Sequence, residues 1–89
     1  MQFFKCEVTL NGEVDLVVTF PAGTVFHDSF VFASICELGN VLGIGYIPWS
    51  GAAIMSVDNI VPTDEGTVHF YLNVNWPTPL PIQLSIAIQ

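Results

Sequence analysis

Eighty-nine residues hold one core with no room for a second, so residues 1–89 are read as a single domain. Hydrophobic residues make up 52% of the chain and charged ones only 10%, against about 25% charged in a typical soluble domain, so apolar surface should remain once the core is filled. Eight acids against the single Lys5 exclude nucleic acid and anionic headgroups as electrostatic ligands, since both need several cations.

The chain opens on strict alternation. Phe4, Cys6, Val8 and Leu10 alternate with Lys5, Glu7 and Thr9, and beyond Asn11-Gly12 the row continues as Val14, Leu16, Val18 and Phe20. Period two on both sides of Asn-Gly predicts a β-hairpin. A two-residue loop would set Leu10 opposite Glu13 and Val8 opposite Asp15, placing one apolar row beside acids. An odd loop, Leu10–Gly12 or Asn11–Glu13, restores the match; the first sets Val8 against Val14, Cys6 against Leu16 and Phe4 against Val18.

Pro21-Ala22-Gly23 reads as a turn. Thr24–Leu38 has two readings. Residues 28–38 would suit a helix, with Asp28 as N-cap and Gly39 past the C-terminus, which would make the fold α+β. The richness in Phe and β-branched residues favours a strand, with Gly39-Asn40 turning into Val41–Ile47. Pro48 and Gly51 frame a corner holding Trp49. Ala53–Ile60 is a short strand closed by Pro62–Gly66. Then Val68, Phe70, Leu72, Val74 and Trp76 share one face of a strand, with Thr67, His69, Tyr71, Asn73 and Asn75 on the other. Pro77–Pro81 is a connector too proline-rich for mid-sheet, and Ile82, Leu84, Ile86 and Ile88 form a last alternating strand. About seven short strands describe an all-β fold, a small antiparallel sandwich or barrel.

Lys5 and Glu7 interrupt any signal-type apolar run at the N-terminus, and no stretch reaches the roughly 20 apolar residues of a spanning helix. The expectation is a soluble chain, cytoplasmic as synthesised and not an integral membrane protein. Its final compartment is left open. Cys6 and Cys36 allow one disulfide and read more simply as two buried thiols.

Catalysis needs convergent acid, base, nucleophile or metal ligands, and neither His27 nor His69 sits in a motif that supplies them. Adjacent His27 and Asp28 point to opposite faces of extended chain. The expectation is therefore no enzyme, no cofactor and no metal. Asp58-Asn59 and Asp64-Glu65 offer hard oxygens for calcium without a recognisable loop spacing, and read as a solvated acidic turn.

The polar row of the 67–75 strand is the candidate binding face. Tyr71 offers a ring to sugar C–H groups, while His69, Asn73 and Asn75 offer hydrogen bonds to hydroxyls. Gln83, Ser85 and Gln89 would extend it if the last two strands pair. Tyr46 and Trp49 are a second aromatic candidate. Apolar surplus without catalytic chemistry points first to a self-associating β-domain, a homo-oligomeric assembly or protein-binding module. A lectin-like carbohydrate-binding protein is the alternative, and a membrane-active or hydrophobic-ligand protein using the glycine-rich residues 41–55 the third.

Overall fold

A computed structural model describes residues 1–89 as seven antiparallel strands in two sheets, without a helix. The strands are β1 (Gln2–Leu10), β2 (Gly12–Thr19), β3 (Val31–Val41), β4 (Gly45–Trp49), β5 (Ile54–Pro62), β6 (Thr67–Asn75) and β7 (Leu80–Ile88). One sheet runs β1-β7-β3-β4 and the other β2-β6-β5. The predicted all-β sandwich is what forms. The helix alternative at 28–38 does not occur, because Val31–Glu37 is laddered in register against β7.

The alternating rows are inward rows. Val68, Phe70, Leu72 and Val74 of β6 face Ile82, Leu84, Ile86 and Ile88 of β7 across the sandwich, all of them 3% exposed or less. β6 and β7 are paired on both sides over most of their length, whereas β3 pairs β7 with its first part and β4 with its last, so the driest positions lie on β6 and β7. Phe4, Cys6 and Leu10 of β1 and Leu16 and Val18 of β2 close the core from one side, while Val57 and Ile60 of β5 close it from the other. Between β2 and β3 the chain closes the end of the sandwich: Val25 is buried, and Phe20 meets Phe4 edge-to-face at 4.9 Å. That loop ends at Phe30, whose backbone exchanges two hydrogen bonds with Gln89.

The predicted β1–β2 hairpin is not formed. β1 pairs with β7 and β2 with β6, in opposite sheets. Alternation requires only that both apolar rows face the core, and facing sheets satisfy that as well as a shared sheet does. Asn11 alone links the strands, with Gly12 at φ 74°, a left-handed conformation that a side chain resists. On the partner side residues 76–79 span the same corner, and Asn11 Nδ2 donates to the Trp76 carbonyl at 3.2 Å. β1–β2 and β7–β6 thus form one long two-stranded ribbon, folded over at a short inner and a long outer corner, with β3 added beside β7 and β5 beside β6. Trp76 belongs to that corner and is 39% exposed, rather than extending the buried row of β6.

A second correction concerns Gly39-Asn40. β3 runs straight through both residues, and the turn falls at Leu42–Ile44, where Gly43 takes φ 84° and Ile44 N–H donates to the Val41 carbonyl. The distal half of β3 pairs only with β4, so these two strands extend past the end of β7 as an arm, seated on the body by the buried Leu38 and by packing of β3 against β5. The molecule is elongated and flat, with principal extents of 39 × 28 × 15 Å. The Cα radius of gyration is 13.6 Å and the surface 5486 Å². A compact chain of this length is expected near 12 Å and about 5100 Å².

Candidate functional site

β6 is the middle strand of its sheet, so its outward residues form the centre line of an open face. His69, Tyr71, Asn73 and Asn75 are brought onto that face together. Asp15 lies opposite Tyr71, Glu13 and Ser56 flank Asn73, and Val17 and Val61 flank His69. His69 Nδ1 lies 3.1 Å from both carboxylate oxygens of Asp15, two residues along β2 from its own partner Val17. The His69 and Tyr71 rings stand nearly parallel, 18° apart with centroids at 6.3 Å. A shallow depression of about 350 Å³ lies beside Tyr71, edged by Glu13, Asp15 and Asp58. Carboxylates there accept from hydroxyl donors and repel anions, so the face suits a neutral or cationic polar group.

The other expected contributors to this face lie elsewhere. Gln83, Ser85 and Gln89 are on or beside β7, which sits in the opposite sheet, because the proline connector is a corner and not a hairpin turn. Tyr46 and Trp49 do not form a shared platform. They are three residues apart on the regular strand β4 and point to opposite faces. Trp49 lies over Gly39, and Tyr46 faces solvent.

Of the oxygens considered for calcium, those of Asp58, Asn59 and Asp64 have local hydrogen-bond partners, and the Glu65 carboxylate has none. Ser56 Oγ donates to Asp58 at a register irregularity in β5, Asn59 accepts from its neighbour Ile60 N–H, and Asp64 is taken by His27. No three His, Cys, Asp or Glu side chains converge in metal-binding proximity. Cys6 and Cys36 are both free and partly buried. β7 separates their strands, with Cys6 beside Leu84 on the inner face and Cys36 beside Gln83 on the outer. Two strand spacings are about 9–10 Å, beyond the ~7 Å limit for a disulfide.

His27 pairs with Asp64 at 2.7 Å, tying the β2–β3 loop to the β5–β6 turn on an exposed surface. The Asp64 carboxylate raises the His27 pKa, through its hydrogen bond first and its charge second, with Asp28 adding to it. Hydrogen bonds from the His27 backbone and then its ring lower that of Asp64. The histidine contribution is complete below its ordinary value of about 6.5 and fades as pH rises through the raised value. The aspartate contribution is present above about 4 and fades as pH falls. The tie is therefore fullest between about pH 4 and 6.5. In an NMR titration His27 is expected to titrate above the ordinary value and to return toward it in Asp64→Asn.

One surface feature arises only from strand pairing. On the outer face of the four-stranded sheet, Phe3 and Phe32 stand on either side of Ala87, with Lys5 and Ser34 flanking Ser85 in the next row. Small side chains on the central strand between two exposed phenylalanines leave an apolar groove of about 560 Å³. Phe3 at an outward position and the small Ser85-x-Ala87 pair were its only sequence signals. No family model matches the chain, nor does any curated protein or solved structure. No helix is long and apolar enough to cross a membrane.

Proposed function

We propose that this chain is a non-enzymatic, self-associating β-domain that serves as an assembly module. The observation that supports this reading is where the surplus apolar side chains stand. Phe3, Phe30 and Phe32 cluster at one end of β3, and Leu42, Ile44 and Tyr46 crowd its other end, where Leu42 is fully exposed. Those ends are about 33 Å apart along an eleven-residue strand. Two apolar regions so widely separated cannot both face one small ligand. They suit repeated contacts between copies, each copy covering surface that water would otherwise solvate unfavourably.

Light scattering on a sizing column at two concentrations tests the reading. A mass that is a stable multiple of 9.7 kDa is the expected result. A 9.7 kDa particle at both concentrations ends the proposal.

A further inference from the structure

We infer that two copies join through β1, edge to edge and antiparallel about a two-fold axis at Cys6, making one continuous eight-stranded sheet. The inference rests on the self-association reading and names its interface.

Four strands stand at sheet edges: β1, β4, β2 and β5. Three of them carry devices that discourage pairing. β5 has the irregularity at Asp58 and ends on Pro62, and β4 contains Pro48. β2 shows Glu13 and Asp15 on its outer row, where a second copy would set acid against acid, and the one basic neighbour, His69, is already engaged by Asp15. β1 has nine regular residues, no proline and no bulge. Its outward row contains Lys5, the chain's only cation, and neither of the two ion pairs uses it, since both are His–Asp.

Register follows from charge. An axis falling between residues would set inward positions against outward ones, which the buried row Phe4, Cys6, Val8 and Leu10 forbids. An axis at Lys5 opposes lysine to lysine, and one at Glu7 opposes glutamate to glutamate. Axes at Phe4 or Val8 leave four of the nine residues unpaired. The axis at Cys6 pairs the whole strand. It sets Lys5 against Glu7 of the second copy twice over, and Phe4 against Val8 on the buried face. A lysine on an edge ordinarily deters an identical strand. Here the acid two positions on converts it into a register key. Four strands from each copy give eight, within the usual size of an open sheet.

The axis brings the two Cys6 residues directly opposite, where Cα atoms lie about 4.5–5.5 Å apart, within disulfide reach. In Cys36→Ser protein, diamide should oxidise the paired Cys6 thiols and take up their two electrons and two protons. The product is a covalent dimer of twice 9.7 kDa on a non-reducing gel. Lys5→Glu, checked for folding by circular dichroism, is expected to weaken dimerisation at least tenfold, and Lys5→Glu with Glu7→Lys to restore it. A wild-type monomer at all concentrations overturns both this inference and the reading beneath it. An oligomer that gives no Cys6 cross-link, or that is indifferent to Lys5→Glu, overturns the β1 interface alone and leaves self-association standing.

Discussion

Phe70→Ala is expected to remove about 3–5 kcal/mol of stability, the usual cost of emptying a phenylalanine site in a dry core. For a chain of 89 residues the whole stability is on the order of 5–13 kcal/mol, so this one change should leave a marginal fold. Phe70 is 0% exposed on the central strand of its sheet. Leu16 and Ile60 pair with it on either side, and its ring fills the gap toward the facing sheet. Both neighbours are held in ladders, so the cavity cannot close by a side chain sliding in. Urea unfolding followed by circular dichroism measures the loss. Asn73→Ala on the same strand points outward and should stay within about 0.5 kcal/mol of wild type. If the two variants unfold together, the inward row has been misplaced.

That row was legible because alternation fixes faces. Every even position from Phe4 to Leu10, from Val68 to Val74 and from Ile82 to Ile88 faces inward, as period two demands. Partners were not legible. β1 carries an apolar inner row that matches β2, β6 or β7 equally well, so no local preference selects β7. The choice is made by the folding of the whole ribbon. Asn11-Gly12 marks a reversal under either arrangement, which is why a hairpin and an inter-sheet corner look alike in sequence. The same limit hid the groove: Phe3 and Phe32 become neighbours only because β7 inserts between their strands. The candidate face on β6 was legible because it comes from one strand. Its acidic edge was not, since Glu13 and Asp15 arrive by pairing with β2.

Gly39→Val separates two opposed influences on the projecting arm. Valine is a strong strand former and glycine a weak one, so propensity alone predicts stabilisation by up to about 1 kcal/mol at a mid-strand position. Packing predicts the reverse. Trp49, paired with Glu37, leans diagonally over Gly39, and a Cβ at that residue would fall 2.6–2.8 Å from three atoms of its ring. Those atoms lie near the root of the indole, so the side chain cannot bend out of the way at its tip. It must leave. An aromatic laid over a strand glycine covers backbone that would otherwise be exposed, and evicting it returns both surfaces to water. Overpacking of this kind costs about 1–3 kcal/mol, which outweighs the propensity gain. In a Trp76→Phe background, Gly39→Val should therefore red-shift the Trp49 emission and lower the unfolding midpoint. A stabilised variant with unchanged emission would mean that the indole does not sit on Gly39, and that the arm is held by its backbone ladder without this cover.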